Sequence, residues 1–140
     1  RCGVAVAGVS DLRRMVNWEA RQEGRNDSQT VRYWNRFMGA ARLNDRALDA
    51  LSPARLAETV DRPLLLIHGK DDTVVPIEQS RVMAEAMRRA GKPVEFIELQ
   101  GEDHWLSRAD TRQQMLRETV EWAETRGRFS RTKRRAKRGT

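Results

Sequence analysis

The chain has 140 residues, of which 39% are hydrophobic and 34% charged, and this length suits one domain with a single core. No apolar run approaches the roughly 20 residues that a membrane-spanning helix needs, so we expect no membrane partner. The single cysteine, Cys2, excludes an internal disulfide and favours a reducing, cytoplasmic compartment.

The formal net charge of +7 is concentrated at one end of the chain. Residues 126–140 hold eight of the 27 basic residues and none of the 20 acidic ones, which leaves 19 basic and 20 acidic residues in positions 1–125. A segment of this composition predicts a basic disordered tail. Contact of the tail with nucleic acid is the less favoured alternative, because Phe129 is its only aromatic residue.

The first 62 residues predict one strand followed by short helices. Residues 2–9 are small and uncharged, which is typical of a strand buried on both faces. Ser10 and Asp11 can cap a helix over residues 12–18, and apolar spacing predicts another helix over residues 30–38. The remaining predictions are a loop over residues 19–29 and a short helix from Asn44 or Asp45 to Leu51.

From residue 62 onwards, strands alternate with helices. Strands are predicted over residues 63–68 and 94–99, and helices over residues 77–90 and 111–125. This alternation predicts parallel strand pairing with right-handed crossovers. The fold class is therefore α/β, with about three parallel strands and flanking helices.

Two polar loops follow the last two predicted strands and carry the candidate catalytic residues. Asp71 comes directly after one strand, and His104 comes after the next. Because the carboxyl ends of parallel strands share one edge of a sheet, we expect these side chains to meet. An aspartate bonded to one ring nitrogen of a histidine leaves the other nitrogen free to take a proton from a nucleophile. His68, within the strand, is expected to be structural.

These loops carry a family resemblance. The segment His68-Gly69-Lys70-Asp71-Asp72-Thr73-Val74-Val75-Pro76 resembles the acid loop of the prolyl oligopeptidase family of serine peptidases, and Gly101-Glu102-Asp103-His104 resembles its histidine loop. The resemblance is clearest over residues 52–124. It implies that residues 1–125 form the C-terminal part of an α/β-hydrolase fold. Asp71 would be the triad acid, Asp72 would shape the turn, and His104 would be the general base.

The family nucleophile is a serine in a Gly-x-Ser-x-Gly turn, and the chain has no such motif. Gly8-Val9-Ser10-Asp11-Leu12 lacks the second glycine, so Ser10 is assigned to helix capping. We therefore expect a fragment that supplies the acid and the histidine to a longer catalytic domain. Its partners would be the upstream part of that domain and a peptide substrate, and the fragment alone would be inactive.

Two other functions remain open from the sequence. One is an esterase or a dienelactone-hydrolase-like enzyme, since those folds use a similar acid loop. The other is a non-catalytic binding module whose basic tail contacts nucleic acid. No cofactor or metal is expected, because the chain has neither a phosphate-binding glycine loop nor a metal-ligand cluster.

Several aromatic residues have two possible roles. Four of them could line a substrate pocket or pack onto the sheet, and packing is the favoured interpretation: Trp18, Tyr33, Trp34 and Phe37. Trp105, beside His104, either packs or restricts access to the site.

Overall fold

The computed structural model describes the backbone of residues 2–136 and the side chains of residues 2–126. Within this part, strands alternate with helices along the second half of the chain. The strands are β1 (Gly3–Val6), β2 (Leu64–Gly69) and β3 (Val94–Leu99), and the helices are α1 (Leu12–Gln22), α2 (Gln29–Phe37), α3 (Glu78–Arg89) and α4 (Ala109–Ala136). Short 3-10 helices cover Arg46–Leu51, Pro53–Arg55 and Ala57–Thr59.

The three strands form a parallel sheet in the order β1-β2-β3. Leu64 is in register with Gly3 on one side and with Val94 on the other. The central strand β2 is buried on both faces, which explains its continuous apolar run from Leu64 to Ile67. The predicted α/β class with three parallel strands is confirmed, and the carboxyl ends of β2 and β3 lie at one edge.

Each face of the sheet is covered by one helix. On one face, Leu66 of β2 belongs to a core cluster with Met83 and Met87 of α3. On the other face, Leu65 and Ile67 cluster with Trp122 of α4. The two helices hold β2 in place from both sides, and β2 carries the first of the two candidate loops.

Residues between β1 and β2 build a separate small cluster of their own. Val16 and Val31 are fully or nearly fully buried there, together with Leu48. Gln79 of α3 ties this segment to the sheet layer, because its Oε1 accepts hydrogen bonds from the backbone N–H groups of Ser10 and Asp11, at 2.9 and 2.8 Å. The helix cap of α1 is Asp11, whose side chain accepts from the Arg14 N–H, so the assignment of Ser10 to capping was wrong.

Several boundaries differ from the sequence prediction for identifiable reasons. β1 is shorter than predicted and is not buried on both faces, since Val4 and Val6 are 37% and 39% exposed. α1 continues to Gln22 because residues 19–22 contain no helix breaker. The helix α4 runs to Ala136 and so extends into the residues of the basic tail. Residues 137–140 of that tail lie outside the described residues.

Candidate active site

The acid loop begins at the end of β2 and turns the side chain of Asp72 inward. One carboxylate oxygen, Oδ1, accepts hydrogen bonds from the backbone N–H groups of Val74 and Val75, both at 2.8 Å. This is the local turn that an aspartate forms with the residues two and three positions later. The Asp72 side chain is fully buried, and its second oxygen, Oδ2, is left facing the neighbouring loop.

The histidine loop follows β3 and is held by two carboxylates. The fully buried Glu102 accepts from the Asp103 N–H through Oε1 and from the Thr111 hydroxyl of α4 through Oε2. Asp103 accepts from the hydroxyl of Ser107 at 2.6 Å and from the backbone N–H groups of Trp105 and Ser107. The Ser107 hydrogen bond is the main reason why the pKa of Asp103 lies below its ordinary value. The loop is therefore anchored on both sides of His104.

The two loops are joined through their backbones. The N–H of Asp71 donates to the carbonyl of Glu102 at 3.0 Å, and the N–H of Lys70 donates to the carbonyl of Leu99 at 2.9 Å. Gly69 is required at this approach, because a Cβ there would lie only 2.5 Å from the carbonyl oxygen of Glu102. These contacts set the distance between the acid loop and the histidine.

Asp72 and His104 form a hydrogen-bonded pair. The Nδ1 atom of His104 lies 2.8 Å from Oδ2 of Asp72, and the imidazole side chain is 23% exposed. Since a carboxylate oxygen only accepts, Nδ1 carries the proton and Nε2 has a free lone pair. Nε2 forms no hydrogen bond with any residue that the structure describes. A partly exposed imidazole with a buried carboxylate behind it can accept a proton from a group in front of it.

The partner of His104 is Asp72 rather than the predicted Asp71. The two carboxylates are adjacent in sequence, but they point in different directions. The cause is the backbone turn of residues 69–72, in which the Asp72 N–H is directed at the Gly69 carbonyl at 3.4 Å. The side chain of Asp71 is exposed and forms no hydrogen bond with the described residues. Asp71 contributes its backbone N–H instead. The two loops meet as predicted, but the contact is made by Asp72, one residue after Asp71.

His68 takes part in the same arrangement and was assigned only a structural role from the sequence. It is fully buried, and its Nε2 lies 2.9 Å from the carbonyl of Val75 and 3.2 Å from Oδ2 of Asp72. Its Nδ1 lies 2.7 Å from the hydroxyl of Ser80 on α3. The sequence signal that could have found this is the spacing of four residues from His68 to Asp72 across a glycine turn.

The aromatic residues singled out in the sequence do not all pack as predicted. On α2, Tyr33, Trp34 and Phe37 are exposed and contact one another, with ring centroids 5.3 to 6.1 Å apart, so they do not cover the sheet. Trp18 is half-buried and lines an open cleft of about 420 Å³ beside the acid loop. Trp105 is 75% exposed, and its ring meets that of His104 edge to face at 5.1 Å.

The cleft has both charged and apolar walls. Besides Trp18, it is lined by Asp71 and Asp72 of the acid loop and by Lys70 and Arg81. Among the residues that the structure describes, no group of three or more His, Cys, Asp or Glu side chains is arranged so that it could hold a metal ion. None of the helices in this described part has the length and apolar character needed to cross a bilayer.

Curated relatives of this chain are peptidases by description. The chain is 26% identical over 115 residues to the uncharacterized peptidase YuxL of Bacillus subtilis (strain 168). This alignment covers 81% of this chain and 15% of that protein. It is also 26% identical over 123 residues to the uncharacterized peptidase YtmA of the same strain, covering 88% of this chain and 45% of that protein. The chain thus spans less than half the length of these relatives.

Two solved structures with a similar fold are also described as peptidases. The acylaminoacyl peptidase of Pyrococcus horikoshii superimposes with a TM-score of 0.71 at 24% identity, covering 89% of this chain and 20% of that one. A puromycin-hydrolyzing peptidase of Mycobacterium tuberculosis gives a TM-score of 0.67 at 25% identity, covering 90% and 18%. The sequence model of the prolyl oligopeptidase family matches residues 1–127. This chain belongs to the prolyl oligopeptidase family.

Proposed function

We propose that the chain supplies the acid and the general base of a serine peptidase, with Asp72 as the acid and His104 as the base. The observation that carries this proposal is the 2.8 Å hydrogen bond between Oδ2 of Asp72 and Nδ1 of His104. Nε2 of the same imidazole has no hydrogen-bond partner in the described part of the chain. The nucleophilic serine would come from a segment outside this chain, and so would the donors that stabilise the oxyanion.

In the proposed reaction, Nε2 of His104 takes the proton of the serine hydroxyl as the serine attacks the carbonyl carbon of a peptide bond. The buried carboxylate of Asp72 stabilises the imidazolium that forms and keeps the ring in the required orientation. His104 then returns the proton to the departing amine, which leaves an acyl-enzyme. Water, activated by the same histidine, hydrolyses that ester.

Membership of the prolyl oligopeptidase family supports a peptide or amide bond as the substrate. The names of the relatives point the same way, since both curated proteins are described as peptidases. We therefore place peptide hydrolysis ahead of ester hydrolysis. Turnover of an aminoacyl-nitroanilide compared with an acyl ester, by the intact protein that carries this sequence, separates the two activities.

The choice of acid is tested by a matched pair of neighbouring substitutions in that intact protein. Asp72→Asn is expected to lower kcat roughly 10³- to 10⁴-fold, because an amide favours the wrong tautomer of His104. Asp71→Asn makes the same chemical change on an exposed side chain and is expected to change kcat by no more than about twofold. Equal losses in the two variants, or a loss in Asp71→Asn alone, would contradict the assignment.

The 140-residue chain by itself is expected to have no measurable turnover of either substrate, since the proposed nucleophile lies outside it. Activity of the chain alone that is lost in Ser10→Ala would instead identify Ser10 as the nucleophile. Activity that survives this substitution would contradict the serine mechanism as proposed.

A further inference from the structure

We propose that His68 is a positioning residue for the acid, an uncharged imidazole protonated on Nε2 that holds Asp72 in the orientation in which it meets His104. This inference rests on the proposed function, because it concerns the same carboxylate. Both imidazoles approach the same oxygen of Asp72: Nδ1 of His104 is 2.8 Å from Oδ2, and Nε2 of His68 is 3.2 Å from it.

The surroundings of His68 determine which of its nitrogens carries the proton. Nε2 faces two acceptors, the carbonyl of Val75 at 2.9 Å and Oδ2 of Asp72 at 3.2 Å. A carbonyl cannot donate, so Nε2 is protonated and donates to Val75. Nδ1 is then an acceptor, and the hydroxyl of Ser80, 2.7 Å away, donates to it. Both nitrogens are satisfied without a positive charge, which suits a side chain that is fully buried.

His68 acts on the carboxylate by two routes. Directly, the positive N–H edge of its ring faces Oδ2. Indirectly, it holds the carbonyl of Val75, the residue whose own N–H binds Oδ1 of Asp72. The acid loop is thus attached to β2 on both sides of the carboxylate. Because Asp72 orients His104, a displacement of this loop would also displace His104.

The other charged groups around His68 do not compete for this contact. Glu98 pairs with His68 in the register of β2 and β3, but its carboxylate binds the guanidinium of Arg81 on α3 at 3.0 and 3.1 Å. The hydrogen bond from Arg81 is the main cause of the lowered pKa of Glu98. Asp72 is therefore the carboxylate that His68 contacts.

The first test needs no substitution. In the intact protein labelled with ¹⁵N-histidine, the His68 signals are expected to show a protonated Nε2 and an unprotonated Nδ1. The opposite tautomer, or a doubly protonated ring at the working pH of the enzyme, would overturn the proposal. This measurement does not depend on activity, so it gives an answer even if the protein proves not to be a peptidase.

The second test compares two substitutions at position 68. His68→Leu removes the donor and is expected to lower kcat roughly 10- to 100-fold with little change in KM, because a small displacement of the catalytic groups has an effect of that size. His68→Gln keeps an N–H donor near the position of Nε2 and is expected to restore most of kcat. The downfield Nδ1 proton resonance of His104, which reports the bond to Asp72, should be lost or shifted in the leucine variant and kept in the glutamine variant.

A control separates positioning from loss of stability. Gln79→Leu removes another buried polar side chain from the same helix as Ser80, one that binds Ser10 and Asp11 and forms no hydrogen bond with Asp72. It is expected to lower stability while leaving the His104 resonance unchanged. If Gln79→Leu and His68→Leu alter kcat and the resonance alike, or if His68→Leu alters neither, His68 has only a structural role and the proposal is wrong.

Discussion

The position of His104 depends on single residues that allow two loops to touch. Gly69 lies where the backbone of the histidine loop crosses the end of β2, and both Glu102 and Asp103 place a carbonyl oxygen within 3 Å of the position that a Cβ would occupy. The carboxylate of Asp72, three residues later, is held by two backbone N–H groups and also contacts His104. The orientation of the Asp72 and His104 side chains therefore depends on these backbone contacts.

Gly69→Ala tests this close approach. The added Cβ would meet backbone atoms that cannot rotate away, so we expect a loss of roughly 1–3 kcal/mol in the free energy of unfolding and a weaker Asp72–His104 contact. Gly8→Ala is the control, because its Cβ would meet only the Cβ of Ala5 at an ordinary 3.7 Å. Urea denaturation of both variants measures the difference. Equal stabilities would show that the histidine loop can move aside.

At the scale of elements, the histidine loop is held at the point where it enters α4. Glu102 binds Thr111 in the first turn of the helix, and Arg108 pairs with Asp110 at 2.9 Å. The Arg108 hydrogen bond, helped by the Thr111 N–H, lowers the pKa of Asp110 from its ordinary 3.8 to about 2. A negative charge in the first turn also interacts favourably with the helix dipole. The start of α4 is therefore an anchor for the loop that carries His104.

This anchor predicts an effect of pH. Because the pKa of Asp110 is lower in the folded state, its contribution to stability is present above about pH 4 and is lost as the pH falls towards 2. Arg108→Met should raise the pKa of Asp110 towards 3.8, though not completely, since the Thr111 N–H remains. NMR titration of the side-chain carboxyl carbon measures this shift. Arg117→Met, on the same helix, is the control, and equal titration of Asp110 in both variants would contradict the assignment.

At the scale of the whole molecule, the sheet has one open side. In the described part of the chain, β1 pairs only with β2, so its other edge has no strand beside it. Val4 and Val6 of that strand are also more than a third exposed. An apolar strand with a free edge is a template for pairing with another chain. We therefore expect the chain alone to self-associate.

Two lysines on β1 test this expectation. Val4→Lys together with Val6→Lys should weaken self-association of the isolated chain at least about tenfold, equivalent to ~1.4 kcal/mol, because charge on an edge strand opposes pairing. Leu116→Lys together with Val120→Lys adds the same charge to exposed apolar positions on α4 and is the control. Sedimentation velocity at matched concentrations compares them. If both pairs weaken association equally, net charge rather than the edge is responsible.

Local patterns were sufficient for much of the fold. The apolar run of β2, the stripe of Val82, Met83, Ala86 and Met87 on α3 and the turn glycines are properties of neighbouring residues, and they predicted elements that the structure contains. The prediction failed where burial depends on distant elements. The aromatic residues of α2 have helical spacing, yet they are exposed because the core of that segment is made by Val16, Val31 and Leu48 instead.

The sequence by itself determined the alternation of strands and helices, the family and the meeting of the acid loop with the histidine loop. These follow from side-chain periodicity and from short motifs, which are local. Only the tertiary structure decided that Asp72, not Asp71, contacts His104 and that His68 lies behind the same carboxylate. The physical reason is that two adjacent aspartates are chemically alike, and the turn between them is set by a loop about thirty residues away that packs on Gly69.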